Sequence, residues 1–197
     1  FLNDVKIAKS ITDLLHSHTK NVVEIGPGMG ILTQFLMQKE IDLKVVELDK
    51  EAVKYLGVNY PSLQEHIIEG DFLKLHLQDT FGKEFALIGN FPYNISSQIL
   101  FKVYENKSII NEMVGMFQLE VAERICSNHG TKKYGILSVL IQAFYDIKMM
   151  KKIKPKCFFP VPKVDSAVIK INKRNDSIKC DEILFKKIVK QSFGQRR

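Results

Sequence analysis

The chain has 197 residues, 45% of them hydrophobic and 26% charged, and its formal net charge is +7. This composition is typical of a soluble globular protein, and no run of about 18 apolar residues predicts a membrane-spanning helix. Cys126, Cys157 and Cys180 are too widely and irregularly spaced to indicate a zinc site or a disulfide framework. We therefore expect a cytoplasmic protein with reduced thiols and no bound metal.

The basic residues are concentrated near the C-terminal end of the chain. Residues 1–147 carry 14 basic and 18 acidic side chains, whereas residues 148–197 carry 15 and 4. A basic segment attached to a mildly acidic body favours a polyanionic partner, most commonly a nucleic acid. From charge alone, a solvated lysine-rich surface explains the pattern equally well.

Short apolar strands alternate with amphipathic helices over the first two thirds of the chain. The predicted helices span residues 5–18, 31–39, 50–60, 96–106 and 119–128. The predicted strands span residues 21–26, 43–49, 65–71, 85–90 and 112–118. Such alternation predicts an α/β fold in which helices cover both faces of a mostly parallel sheet.

The remaining residues predict a different connection. Two further strands, at residues 143–153 and 163–172, are joined by the proline-rich segment "KPKCFFPVPK". Strands joined in this way are expected to form an antiparallel hairpin at the edge of the sheet. Another amphipathic helix is predicted to begin near Asp181.

Three successive strands end in residues that suit a nucleoside ligand, and ligands bind at this end of a parallel sheet. Gly26, Gly28 and Gly30 follow the first strand in "EIGPGMG", where glycine lets the backbone approach a ligand closely. Glu47 follows Gly26 by 21 residues and could accept both ribose hydroxyls.

Asp71, at the end of the third strand, could accept a hydrogen bond from an adenine amino group, or it could simply cap a turn. Ile31 occupies the position of the third glycine of a dinucleotide fingerprint, and no Walker lysine is present. The pattern therefore favours S-adenosylmethionine over a nicotinamide or a nucleoside triphosphate.

The fourth strand ends in "GNFPYNIS". An exocyclic adenine amine is a weak nucleophile because its lone pair is delocalised into the ring. The side-chain carbonyl of Asn90 and the backbone carbonyl of Phe91 or Pro92 could accept hydrogen bonds from its two N–H groups and so localise the lone pair on nitrogen. Tyr93 could stack on the base. The stretch predicts an amine methyltransferase site; the alternative is a turn that merely ends a strand.

In this order, the chain contains motifs that together resemble the ribosomal RNA adenine N6-dimethyltransferase family: "FLND", "VVEIGPGMGILT", "VVELD", "EGDFL", "GNFPYNIS", "FQLEVAERI", "YGILSVL", "FFPVPKVDSAV" and "FGQRR". The likeness covers essentially the whole chain. "PKVDSAV" and "FGQRR" favour the bacterial small-subunit (16S) branch, the kasugamycin-sensitivity dimethyltransferases, over the macrolide-resistance methylases of large-subunit RNA.

The resemblance implies a Rossmann-like S-adenosylmethionine-dependent methyltransferase that dimethylates N6 of two adjacent adenines in a hairpin loop of small-subunit rRNA. It implies that Tyr93 and Phe158 sandwich the target adenine, although Phe159 is adjacent, and that Asn90 and Pro92 lie at the acceptor amine. It also implies that a set of residues from these motifs contacts the cofactor: Leu2, Gly26, Gly28, Glu47, Asp71 and Asn90.

The expected organisation is a catalytic domain over residues 1–174, followed at residues 175–197 by the start of a truncated C-terminal helical RNA-binding domain. We expect a cytoplasmic monomer that acts on rRNA within the assembling small ribosomal subunit, away from membranes. Phe91 departs from the family pattern, which usually has leucine there. Two other functions stay open: a large-subunit methylase that confers macrolide resistance, and a non-catalytic assembly or transcription factor, against which the intact "NFPY" argues.

Overall fold

The computed structural model describes residues 2–176 and 178–194, which form a seven-stranded sheet covered by helices. The strands are β1 (Asn21–Ile25), β2 (Asp42–Glu47), β3 (Ile67–Glu69), β4 (Phe85–Asn90), β5 (Ile110–Gln118), β6 (Tyr145–Ile153) and β7 (Ser166–Lys173). The helices are α1 (Val5–Thr12), α2 (Thr33–Leu36), α3 (Lys50–Asn59), α4 (Leu77–Phe81), α5 (Ser96–Glu105), α6 (Leu119–Cys126), α7 (Ile136–Gln142) and α8 (Glu182–Gly194).

The strand order across the sheet is β3-β2-β1-β4-β5-β7-β6. The first five strands in this order are parallel to one another, whereas β7 runs antiparallel to β5 and β6 runs antiparallel to β7. The predicted parallel sheet with an antiparallel edge hairpin is therefore confirmed. The chain builds outward from β1 in one direction and then from β4 in the other, so the switch point lies between these two strands.

Both faces of the sheet are buried, which explains why its central strands are apolar at nearly every position. Phe85 and Leu87 of β4 belong to a core shared with α4 to α8, and Ala86 and Ile88 belong to a second core shared with α1 and α2. These four side chains are at most 2% exposed. The alternation along one strand thus fills two separate cores.

Most of the predicted elements are confirmed, with differences at their ends. The helix after the glycine turn contains only Thr33–Leu36, and β3 contains only Ile67–Glu69. Helices α4 and α7 were not predicted from the sequence. Helix α4 is a five-residue helix that ends at Gly82, whose φ of 67° closes it in the left-handed conformation.

The predicted helix near residue 181 is confirmed as α8. It is held to the body by ion pairs from Lys107 to Glu182 (2.8 Å) and from Lys186 to Glu105 (3.1 Å), and its own Val189 is buried against the body. Only the first two residues of "FGQRR" and the last three of "FLND" fall within the described residues. The division into domains at residues 174 and 175 stays a prediction. None of the described helices is long and apolar enough to cross a membrane.

Candidate active site

A cavity of about 780 Å³ opens at the carboxyl ends of β1, β2 and β4, where the fold predicts a ligand site. Its wall also includes the N-terminal segment before α1 and the proline-rich segment between β6 and β7. The predicted site residues that line the cavity are Leu2, Gly26, Gly28, Glu47, Asn90, Pro92, Tyr93 and Phe158. The structure thus brings together residues that are far apart in the chain, although the roles assigned to them stay predictions.

The glycine turn after β1 has a conformation that only glycine adopts readily. Gly26, Gly28 and Gly30 have φ angles of 63°, 56° and 82°. A Cβ atom on Gly26 would meet no heavy atom within 4 Å, so its backbone borders open space at the cavity wall. A Cβ atom on Gly30 would instead lie 2.6 Å from Cε2 of Tyr60. Gly26 therefore leaves room for a ligand, and Gly30 leaves room for the side chain packed behind the turn.

Glu47, at the end of β2, is fixed by backbone donors. Its Oε2 accepts from the backbone N–H of Gly28 at 3.0 Å, and its Oε1 accepts from those of Leu48 at 2.8 Å and Asp49 at 2.9 Å. A carboxylate offers about four acceptor positions, so the group can still accept from a ligand hydroxyl. Glu47 therefore ties the glycine turn to β2 and presents an acceptor to the cavity.

Glu24 also lines the cavity, although it is not among the predicted site residues. Its side chain is 1% exposed, and its Oε2 accepts from the Thr33 hydroxyl at 2.7 Å. Burial is the main cause that raises the pKa of Glu24 to about 8; the Thr33 hydroxyl acts against this change, and the nearby charge of Glu47 adds to it. The acidic position directly before "IGPGMG" was the signal that could have identified it.

Asn90 and the two residues after it form the wall beside the switch point. The Asn90 side-chain amide makes no hydrogen bond to any other residue that the structure describes, so it is available to a ligand. The Pro92 carbonyl accepts from the backbone N–H of Ile95 and from the hydroxyl of Ser96, both at 3.2 Å. Within the described residues, the Phe91 carbonyl accepts no backbone hydrogen bond. The geometry therefore favours Phe91 over Pro92 as the second acceptor.

Two aromatic side chains face the cavity from different loops. Tyr93 follows β4 and is half-buried, and its hydroxyl oxygen lies 2.5 Å from Oγ of Ser166. Phe158 lies in the segment between β6 and β7, where its backbone pairs with that of Leu2 in an isolated bridge. Phe158 is 6% exposed and lines the cavity, whereas Phe159 is 73% exposed and is absent from its wall. Phe158 is therefore the better placed of the two phenylalanines.

Asp71 is the predicted site residue that does not line the cavity. Its carboxylate accepts from the backbone N–H of Leu73 at 2.9 Å and caps a short 3-10 helix, Phe72–Lys74. Lys102 holds the same segment by donating to the carbonyls of Leu73 and Leu75. Capping was the alternative interpretation of Asp71, and contact with the cofactor stays a prediction.

Exposed lysines lie along the edge strand, which ends on the cavity side of the sheet. Ile153, the last residue of β6, pairs with Ser166 at the same end of the sheet as the cavity. Lys152 and Lys154 pair with Glu123 and Asp165, at 3.4 Å and 2.8 Å. Further exposed lysines on β6 or just after it are Lys148, Lys151 and Lys156. In the part of the chain that the structure describes, no group of acidic, histidine or cysteine side chains could hold a metal ion.

Comparisons with known proteins agree with this architecture. The chain is 55% identical to Ribosomal RNA small subunit methyltransferase A of Bacteroides thetaiotaomicron, over all of this chain and 75% of that protein. It superposes on a dimethyladenosine transferase from Plasmodium falciparum with a TM-score of 0.87 and 26% identity, over 100% of this chain and 72% of the other. It superposes on the 23S rRNA methyltransferase ErmE with a TM-score of 0.80 and 26% identity, over 100% of this chain and 80% of that chain.

The sheet topology, the cavity at its switch point and these likenesses define a Rossmann-like methyltransferase. The sequence profile described as "Ribosomal RNA adenine dimethylase" matches residues 1–197. The chain belongs to this family, and the predicted class of enzyme is confirmed.

Proposed function

We propose that the protein uses S-adenosylmethionine to dimethylate N6 of two adjacent adenines in a hairpin loop of the small-subunit (16S) rRNA, as a step in small-subunit biogenesis. The observation that carries the proposal is the intact "NFPY" motif at the cavity of a family member. The name of the Bacteroides relative, which is 55% identical, supports the small subunit as the substrate.

The residues of the cavity fit the cofactor. The open backbone at Gly26 leaves space beside the first strand, and Glu47 presents a fixed carboxylate at the end of the second strand. This carboxylate would use its remaining acceptor position for a ribose hydroxyl. Leu2 and Gly28 would complete the wall around the bound nucleoside. S-Adenosylmethionine supplies a methyl group on a sulfonium, which is already a good leaving group.

The chemistry required of the protein is then to prepare the acceptor nitrogen. The side-chain carbonyl of Asn90 and the backbone carbonyl of Phe91 would accept hydrogen bonds from the two N–H groups of the adenine amine. These contacts favour a pyramidal nitrogen with a localised lone pair, so their effect is greatest in the transition state. The methylated nitrogen loses its proton to water afterwards, so the site needs no strong base.

Binding of the adenine requires that it leave the RNA stack. Tyr93 and Phe158 border the cavity and would hold the base by stacking, a contact worth roughly 1–3 kcal/mol per base. A hairpin loop suits this step because its bases unstack at modest cost. The exposed lysines on and after β6 would contact the phosphates on either side of the target.

The decisive experiment gives the full-length protein labelled S-adenosylmethionine and separately purified, unmethylated small and large ribosomal subunits, and then maps the label. The proposal predicts label on N6 of two adjacent adenines of the small-subunit rRNA. Label confined to the large subunit would instead support the macrolide-resistance function. Tight RNA binding without transfer would support a non-catalytic factor. The matched control is Asn90→Ala, which should remain folded and bind RNA but transfer methyl groups very slowly.

A further inference from the structure

The Tyr93 side chain makes a hydrogen bond that base stacking does not require. Its hydroxyl lies 2.5 Å from the hydroxyl of Ser166, which is 73 positions further along the chain. Tyr93 is half-buried at the cavity, whereas Ser166 is 0% exposed. A ring that only stacked on a base could leave its hydroxyl in water. Here the hydroxyl is directed into the protein.

Ser166 is well placed to hold this ring. It begins β7, a strand flanked on both sides, and it pairs with Gln118 of β5 and with Ile153 of β6. Its backbone is therefore fixed within the sheet, and so is the direction of its short side chain. Tyr93, by contrast, lies in a single turn of 3-10 helix after Pro92, next to the exposed Asn94. The hydrogen bond thus joins a short loop element to a strand in the interior of the sheet.

We propose that Ser166 is a positioning residue that fixes the plane of the Tyr93 ring so that the target adenine enters the cavity with its amine at Asn90. This inference rests on the proposed function, because it assumes that Tyr93 stacks on the base. Ser166 touches neither base nor cofactor in this scheme and acts through Tyr93 alone. The bond also connects the "NFPY" loop to the strand that follows the proline-rich segment carrying Phe158, so both stacking side chains depend on one framework.

The test compares Ser166→Ala, Tyr93→Phe and the double variant in single-turnover methyl transfer at saturating cofactor. Each single substitution removes the same hydrogen bond, and each should slow transfer by roughly five- to tenfold, the value of one such bond. The double variant should be no slower than either single variant, because nothing further is lost. Cofactor affinity should be unchanged in all three. The matched control is Ser138→Ala, a buried serine on α7 that bonds to the backbone of Arg124 and Gly135 away from the cavity; its transfer rate should equal that of the unsubstituted protein.

A spectroscopic measurement reports the ring position without turnover. The fluorescence of 2-aminopurine placed at the target position of the RNA should be quenched when the base stacks on Tyr93. This quenching should weaken to the same extent in Ser166→Ala and in Tyr93→Phe. If Ser166→Ala fails to fold, Tyr93→Phe still removes the bond without disturbing the interior of the sheet.

The outcomes separate the inference from the function on which it rests. If Tyr93→Ala transfers and quenches like the unsubstituted protein, the stacking role fails and the inference fails with it. If Tyr93→Ala is impaired but Ser166→Ala and Tyr93→Phe are not, the proposed function stands and the positioning role of Ser166 is overturned. Losses that multiply in the double variant would also overturn it, because the two hydroxyls would then act separately.

Discussion

Glu24 makes the stability of the fold depend on pH. Burial raises the pKa of this carboxyl from 4.5 to about 8, whereas an unfolded chain would leave it near 4.5. Between these values the folded protein therefore holds a proton that the unfolded chain has lost. The stabilisation is complete below about pH 4.5 and is lost as the pH rises through about 8, with a slope of up to about 1.4 kcal/mol per pH unit.

Glu24→Gln should remove this dependence, because the amide keeps the shape of the side chain and cannot ionise. Urea unfolding at pH 5.5 and at pH 8 should show that the variant gains stability relative to the unsubstituted protein at the higher pH. Glu112→Gln is the matched control, since Glu112 is also buried but faces Lys170 at 3.0 Å. That variant should be destabilised at pH 8, because Lys170 loses its counter-charge. Equal pH slopes for Glu24→Gln and the unsubstituted protein would contradict the assignment.

Glu47 joins cofactor binding to the local fold. Glu47→Ala should weaken S-adenosylmethionine binding by roughly ten- to a hundredfold, because an ionised acceptor of a ribose hydroxyl is lost. It should also lower stability, since the backbone N–H groups of Gly28, Leu48 and Asp49 lose their acceptor. Calorimetry and thermal unfolding measure the two effects. Glu69→Ala removes the carboxylate that neighbours Glu47 in the β2–β3 register and should leave affinity unchanged; equal affinities of Glu47→Ala and Glu69→Ala would remove Glu47 from the site.

The strand ends could be found from the sequence because glycine, acidic and amide residues directly follow apolar runs. That rule located Gly26, Glu47 and Asn90 at the cavity without a structure. It could not separate Asp71 from a capping residue, because both roles use the same carboxylate at the same position. The strand-end rule could not predict the hydrogen bond between Tyr93 and Ser166 either. This bond depends on how the hairpin of β6 and β7 packs against β5.

The loop after β4 is supported by a gap between neighbouring strands. Gly89 of β4 and Gly115 of β5 are register partners, and the ring of Phe91 occupies the space that their missing side chains leave. Phe91 is 1% exposed, and its ring packs on that of Phe117 with centroids 5.0 Å apart. The two glycines thus make room for Phe91, where this motif usually has leucine. The packed ring in turn fixes the Phe91 backbone, which carries the proposed acceptor carbonyl.

Gly115→Ala should therefore destabilise the protein by about 1–3 kcal/mol, because its Cβ would overlap the rings of Phe91 and Phe117. Adding Phe91→Leu should cost less in this background than in the unsubstituted protein, since the smaller side chain relieves part of the overlap. Denaturant unfolding of the four proteins measures this coupling. Gly57→Ala is the control: a Cβ there meets nothing within 4 Å, and alanine favours the helix. Additive costs for Gly115→Ala and Phe91→Leu would argue against the shared space.

The long periodic segments were predictable because each strand or helix buries a face with its own repeat. Helices α4 and α7 were not, for different reasons. Helix α4 has five residues, too few for a helical repeat to be recognised. Helix α7, "ILSVLIQ", is apolar at five of seven positions, so its pattern does not distinguish a buried helix from a strand. Its position against α5 and α6 is set by tertiary packing rather than by local preference.

The structure shows where some of the basic residues near the C-terminal end lie in the fold. Part of the basic C-terminal segment, residues 148–156, lies on the edge strand β6 and its extension, and this edge reaches the end of the sheet where the cavity opens. Lysines on an exposed edge strand also discourage pairing with other sheets, so charge alone does not establish an RNA surface. Some of these lysines already face carboxylates. Lys148, Lys151 and Lys156 have no carboxylate within ion-pair distance among the described residues, and Lys151 and Lys156 lie nearer than Lys148 to the end of β6 at the cavity, so these two are the better candidates for phosphate contacts.

Reversing the charge of Lys151 and Lys156 together should weaken binding to the target rRNA hairpin and leave S-adenosylmethionine affinity unchanged. If each lysine contacts one phosphate, the plot of log affinity against log salt should become shallower by roughly 1.4 to 1.8, because fewer counterions are released on binding. The matched control reverses Lys20 and Lys173, which lie at the opposite end of the sheet, at the start of β1 and the end of β7. It makes the same change in net charge, so an effect of overall charge would appear equally in both variants. Filter binding over a series of salt concentrations measures both slopes. Equal losses in the two double variants, or an affinity that does not vary with salt, would mean that the lysines on this edge are only a solvated surface.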